Sequence, residues 1–349
     1  MRLPELARIL KINMPVECIM ARLIQFRLSA ASGLLACVAM FVSCHATQSV
    51  ANSGGLIPVR LQTDWYPQPE HGGFYTALSN GYYKAEGLDV TILPLGQYSS
   101  ALQVVSSGGA EFGLASSDQI LEAVSNGLPL VAVGATMQHD PQGIMVHKNS
   151  PVTGFAGLEG HSIAAHPGAT WFKFIVGKYH LKNVREIPAT HSIANFLADP
   201  NYIQQIFVTS EPYFVKTAGG DFRTMLISGA GYDPYRVFFV SKNYMKQNPS
   251  VTAKFVRASI KGWREYLRDP TAANTLILKL NPAQNAAQVE FTLGALKEGN
   301  FITGEDPSGS QIGQMAPARW AATNQQLSEL GVIRKPINPT TAYATQFLP

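Results

Sequence analysis

Val59 to Leu95 reads VRLQTDWYPQPEHGGFYTALSNGYYKAEGLDVTILPL, and its hydrophobic rhythm changes twice. Val59 to Thr63 predicts a short strand, Gly73 to Ala85 a helix and Asp89 to Leu95 a second strand, the pattern of a βαβ unit feeding a parallel sheet. Gly87 stands where helix gives way to strand, and a left-handed turn there costs little only for glycine. Asp64, Trp65 and His71 fall just past the C-terminal end of the first strand, where open α/β sheets bind their ligands. A flat indole can stack on a ring while Asp and His meet its polar edge.

Working outward, the same alternation continues. A helix is expected over Ser99 to Ser107, a strand over Phe112 to Ala115, a helix over Asp118 to Ser125, and strands over Leu130 to Thr136 and Ile144 to His147. A second α/β series begins at Gly157, with strands at Ser162 to Ala165, Val184 to Ile187, Ile206 to Val208 and Thr224 to Ile227. Helices at Thr170 to His180 and Glu211 to Ala218 separate them. After the turn-rich stretch Ser228 to Pro234, Val237 to Ser241 predicts a strand, and the remainder is mainly helical with Pro249 to Leu267 the longest amphipathic run. No low-complexity linker and no internal repeat interrupts this order. Two lobes follow: residues 58–143 and 233–349 form one and 144–232 the other, joined by two hinge crossings near 140–150 and 228–236.

Upstream, Arg22 and Arg27 precede an uncharged stretch from Leu28 to Ser43 that is shorter than the ~20 residues of a spanning helix. That is the layout of an export signal over residues 1–43, with Met14 and Met20 as alternative starts. Phe41-Val42-Ser43-Cys44 places a cysteine at the end of the apolar run, and lipidation of Cys44 is expected, followed by a tether over 44–57. The competing reading is ordinary cleavage after Ala46. Of the 27 basic and 23 acidic residues, five basic and two acidic ones lie in 1–43, so the part beyond carries a net charge of only +1. A near-neutral surface argues against nucleic acid or an anionic membrane face as partner. Cys18, Cys37 and Cys44 are the only cysteines, so no disulfide framework or cysteine metal site can form in the folded part.

Three groups of residues together resemble a known family. Asp64-Trp65-Tyr66-Pro67 with His71 and Gly72, Gly81-Tyr82-Tyr83-Lys84-Ala85-Glu86-Gly87-Leu88-Asp89-Val90, and Gly157-Leu158-Glu159-Gly160 before Ser162-Ile163-Ala164 are similar to motifs of the NMT1/THI5-like periplasmic binding proteins. The resemblance spans about residues 59 to 270. It implies an α/β, type 2 periplasmic binding protein fold with a ligand cleft between two lobes. It also implies a small-molecule ligand, captured by lobe closure for the permease and ATPase subunits of an ABC importer. The protein is then a periplasmic or cell-envelope monomer held to the membrane by its lipid alone, with no cofactor and no metal.

The expected ligand-binding residues are Asp64, Trp65, His71, Tyr75, Ser116, Ser117, Thr170, Trp171, Glu211 and Tyr232. Ser116 and Ser117 end a strand and open a helix whose backbone N–H groups are ready donors. Gly168-Ala169-Thr170-Trp171 repeats that geometry in the second lobe. Glu211 starts a helix before Pro212, where the dipole favours a carboxylate with or without a ligand. The resemblance adds that an acid at this place meets an aminopyrimidine edge. Tyr232 and Asp233 either line the cleft or form the turn signalled by Gly231 and Pro234. The aromatic supply exceeds what a nitrate or small sulfonate needs, so a neutral or cationic heteroaromatic, such as a thiamine-precursor pyrimidine, is the expected ligand. Two alternatives stand beside it: an oxyanion binder and a pyrimidine-precursor synthase. The synthase reading expects a lysine where this chain has Ala115, and no G-x-S-x-G, H-E-x-x-H or P-loop motif offers other chemistry.

Overall fold

β1 (Ile57–Gln62) opens the first lobe and sends Val59 and Leu61 into a buried core. After it come α1 (Gly72–Ser79), α2 (Tyr82–Ala85), β2 (Leu88–Leu93), α3 (Ala101–Ser106), β3 (Phe112–Ser116), α4 (Ser117–Ser125) and β4 (Leu130–Met137). The second lobe follows as β5 (Gln142–His147), β6 (Ser162–Ala165), α5 (Thr170–Lys178), β7 (Arg185–Pro188), α6 (Ala194–Ala198), β8 (Ile203–Phe207), α7 (Glu211–Thr217) and β9 (Phe222–Leu226). The chain returns through β10 (Arg236–Ser241) to α8 (Lys242–Gln247), α9 (Pro249–Arg268), α10 (Thr271–Leu280), α11 (Ala286–Glu298) and α12 (Pro317–Glu329). The computed structural model describes residues 55–94, 100–190 and 192–349; the leader and Cys44 lie outside them.

Each lobe is built on a five-stranded sheet, ordered β2-β1-β3-β10-β4 and β7-β6-β8-β5-β9. Within the first, β1 pairs in parallel with β2 and β3, while β10 runs antiparallel between β3 and β4. The second repeats the scheme, with β6 parallel to β7 and β8, and β5 antiparallel to β8 and β9. The reversed strands β5 and β10 are those entered directly from a crossing: 138–141 leads into β5 and 227–235 into β10. Helices cover both faces of the first sheet. In β4, Leu130 and Ala132 enter one core cluster while Val131 and Val133 enter the other, which is why that strand is apolar throughout.

Two local outcomes differ from the sequence pattern. The helix expected over Gly73 to Ala85 breaks at Asn80 and Gly81, where Gly81 takes φ +73°, and splits into α1 and α2. The strand expected at Ile206 to Val208 begins earlier, at Ile203, because Gln204 is buried between neighbouring strands despite its polarity. The loop before α1 is fixed by close packing behind it. A Cβ on Gly262 of α9 would lie 2.1 Å from the carbonyl oxygen of Gly73, so the two helices touch backbone to backbone. Trp263 and Tyr266 of α9 lie over Gly73 and Gly72 in the same way.

Candidate functional site

A cavity of about 950 Å³ lies at the meeting of the two sheets' strand ends and takes lining residues from both lobes. The loop after β1 supplies Asp64, Trp65, Tyr66, Glu70 and His71; β3 and α4 supply Ala115, Ser116 and Asp118. The second lobe contributes Thr170, Trp171, Phe207, Glu211 and Phe214, and Arg236 comes from the end of the second crossing. Gln284, just before α11, and Gln288, in its first turn, line a further part of the wall.

Asp64 is held on both oxygens. Its Oδ1 lies 3.0 Å from His71 Nε2, and its Oδ2 accepts from the guanidinium of Arg236. The ionised carboxylate can only accept, so Nε2 carries the proton that faces it. Burial by itself would raise the Asp64 pKa, but Arg236 and then His71 outweigh it and hold the carboxyl well below its usual range. Arg236 is raised in turn: burial opposes its charge, and Asp64, Asp140 and Asp118 together outweigh burial. Its guanidinium carbon also stands 5.5 Å from the centre of the Phe207 ring, a cation–π contact between the crossing and the second lobe.

Glu211 shows the opposite balance. Burial pushes it up to about 7, only partly offset by the Phe207 N–H that it accepts at 2.9 Å, and Glu70 adds repulsion. Glu70 is itself raised by burial even though it accepts from Thr209 Oγ1 at 2.7 Å across the lobes. Asp140, on the first crossing, is pushed up to about 6 by burial, with Arg236 opposing and Asp118 assisting. Six carboxylates therefore line the cavity (Asp64, Glu70, Asp118, Glu122, Asp140, Glu211), and among the described lining residues Arg236 is the one Arg or Lys.

Several buried polar atoms of the wall have no hydrogen-bond partner among the described residues: His71 Nδ1, Asp118 Oδ1, Trp171 Nε1, Gln284 Oε1 and Gln288 Oε1. Buried polar groups are nearly always paired, so the concentration of such atoms in residues that line one cavity makes it a candidate polar site.

The NMT1/THI5-like family model matches residues 68–273, more than half of the chain. The chain belongs to this family. Riboflavin-binding protein RibY of Chloroflexus aurantiacus is 24% identical over 83% of this chain and 86% of its own length. A formylaminopyrimidine-binding protein of Halalkalibacterium halodurans is 26% identical over 89% and 97%. The family's matches also include the 4-amino-5-hydroxymethyl-2-methylpyrimidine phosphate synthase THI11 of Saccharomyces cerevisiae, at 23% over 64% and 71%. Among solved structures, the periplasmic aliphatic sulphonate binding protein SsuA of Escherichia coli superposes with a TM-score of 0.63 at 16% identity, covering 81% of this chain and 96% of its own. That likeness gives this NMT1/THI5-like chain the two-lobed periplasmic binding protein fold.

Of the residues singled out from the sequence of this NMT1/THI5-like chain, the cavity brings together Asp64, Trp65, His71, Ser116, Thr170, Trp171 and Glu211. Tyr75, expected to bind the ligand, is not among them: it is buried in the first-lobe core, one helical turn past the loop after β1. Ser117 is turned to the hinge, where its Oγ accepts the Tyr235 N–H at 3.0 Å. Tyr232 is buried in the second-lobe core beside Phe174, and its hydroxyl reaches back to donate to Asp118 Oδ2 at 2.6 Å. It shapes the wall through Asp118. The turn before α5 also departs from a free anion site, because Glu186 accepts the N–H groups of Gly168 and Ala169 at 2.9 and 3.3 Å. Arg236 went unnoticed in the sequence: it lies one residue before an apolar strand run, and no local pattern marks it.

Among the described residues no helix is long and apolar enough to cross a membrane, and no group of three or more His, Cys, Asp or Glu side chains is placed to hold a metal ion.

Proposed function

We propose that this chain is the capture component of an ABC importer. It is exported, tethered through Cys44, and closes its two lobes on a small heteroaromatic nutrient such as a thiamine-precursor pyrimidine, catalysing nothing. The observation that carries the reading is the cavity itself: aromatic side chains from both lobes and the unpartnered polar atoms of His71, Asp118, Trp171, Gln284 and Gln288 converge on one volume. Polar groups converging beside aromatic rings in a pocket between lobes are a usual form of small-molecule site. The named relatives that bind riboflavin and formylaminopyrimidine support a ring ligand.

The surplus of acidic side chains over the one Arg among the described lining residues disfavours a nitrate or sulfonate. The synthase reading lacks its nucleophile. Ala115 stands on the wall where the resemblance expects lysine, and none of the described lining residues is a lysine able to form an aldimine.

Thermal denaturation of the purified protein with a panel of pyrimidines, flavins, sulfonates and nitrate tests this, since a ligand that binds only the native state raises its Tm. Pyrimidines or flavins should raise Tm. A rise with nitrate or sulfonates alone would overturn the ring reading. A stoichiometric, borohydride-trapped adduct with pyridoxal phosphate, accompanied by a pyrimidine product, would restore the enzyme. Mass spectrometry of the mature N-terminus checks the anchor; a chain starting at Thr47 would remove it.

A further inference from the structure

Arg236 has features that the importer reading leaves unused. It is the first residue of β10, where the second crossing ends, and its side chain is only 17% exposed. A guanidinium carries five N–H donors in a rigid fork, whereas the one side-chain hydrogen bond of Arg236 among the described residues goes to Asp64. Further donors therefore remain at a cavity wall. Asp64 is in the reverse position, with both oxygens engaged, one by His71 and one by Arg236.

The surroundings decide what those donors can accept. Asp64, Asp118 and Asp140 all act on the charge of Arg236, so an incoming anion would meet three carboxylates for one cation. A neutral carbonyl oxygen takes the N–H bond without adding charge. An acceptor belongs to the same surroundings: Asp118, one of the carboxylates that act on Arg236, has an Oδ1 with no hydrogen-bond partner among the described residues. Donor and acceptor both belong to the cavity lining, the combination that a ring edge with a carbonyl flanked by an N–H would meet.

Resting on the importer reading, we infer that Arg236 is the residue that reads the ligand's acceptor, that this acceptor is the neutral carbonyl of a cyclic amide or imide, and that Asp64 positions Arg236 and does not itself contact the ligand.

Calorimetric titration of the purified protein with two planar three-ring compounds tests this. Alloxazine carries an imide edge; phenazine has the same outline without carbonyl or N–H. The wild type should prefer alloxazine by roughly tenfold or more, since a site built to hydrogen-bond rejects an analogue lacking the partner. Arg236→Lys keeps a charge opposite Asp64 but loses the planar fork, and should reduce that preference to about threefold or less while phenazine affinity barely moves. Asp64→Asn should lower the same ratio by a smaller factor, whereas a purely structural role would weaken both compounds alike. If Arg236→Lys folds poorly, the double variant Asp64→Asn/Arg236→Gln, which removes both charges, should show the same lost preference.

Equal wild-type affinity for the two compounds would overturn the inference. So would a preference that survives in both Arg236 variants. Capture of 4-aminopyrimidine with rejection of alloxazine would sink the carbonyl assignment and leave the importer reading intact. If no ring compound binds, both fall together.

Discussion

Asp64 and Glu211 each stand just past a strand end, one in either lobe. Each follows a core strand of its sheet, stands in the connection to the next helix or at its first residue, and lines the same cavity. Their electrostatics are opposite. Asp64 is held ionised by a cation, while Glu211, with no cation bonded to it among the described residues, is pushed up to about 7 by burial. The difference lies in the partner, since both carboxylates are partly buried. One lobe brings an arginine from 172 residues away to its strand end, and the other offers a single backbone N–H. The first lobe thus presents a fixed, charge-balanced anchor, and the second a carboxyl whose charge depends on pH and on what it meets.

The largest effect should come from breaking the anchor. Arg236→Gln leaves Asp64 partly buried and without its cation, a loss that costs about 3 kcal/mol at comparable sites. The double variant Asp64→Asn/Arg236→Gln should recover much of it, and chemical denaturation of the two proteins side by side measures the difference. Equal destabilisation of both would show that Asp64 is not the residue that suffers.

Glu211 should respond in the opposite direction. Its folded pKa, about 7, is above its ordinary value of 4.5, so the folded chain binds more protons between those values and stability falls as pH rises through that window. Glu211→Gln should therefore flatten the fall and stabilise the protein at pH 8 by on the order of 2 kcal/mol, read from Tm against pH. Asp64 acts at the other limb: its depressed pKa contributes stability at neutral pH that is lost as pH drops below about 4. A Glu211→Gln profile parallel to wild type would remove the contrast between the lobes.

Two smaller effects sharpen it. Trp65 is half-buried at the cavity rim with its ring edge-on to Tyr66 at 5.5 Å, and Trp65→Ala should weaken a ring ligand by about 1–2 kcal/mol while leaving the melting curve nearly unchanged. Asp233 ties the crossings together: it accepts from the Asp140 N–H at 2.9 Å, meets His139 Nδ1 at 2.7 Å and pairs with Arg319 at 2.8 Å. Asp233→Asn should cost about 1 kcal/mol and speed amide exchange in residues 138–141 ahead of the sheets. Unchanged exchange there would place the hinge's rigidity elsewhere.

Much of this molecule was legible from local pattern. The strand–helix alternation from Val59 onward, the apolar strands and the position of Asp64 and Glu211 at strand ends all depend on periodicities that repeat within a few residues. Where the pattern failed, the deciding force was not local. Tyr75, Ser117 and Tyr232 sit within a few residues of lining positions, yet a turn of helix or a hinge contact directs their side chains to the core or to backbone.

The sequence alone determined a two-lobed α/β chain with a ligand cleft at its strand ends, because hydrophobic periodicity sets which elements form and sheet geometry sets where they open. Only the tertiary structure decided the charge of that cleft. Sheet order places β10 beside β3, one strand from β1, and so carries Arg236 to Asp64, and it leaves Glu211 with no comparable cation among the described residues. Pairing and burial of this kind depend on groups far apart in the chain, and no window of residues contains them.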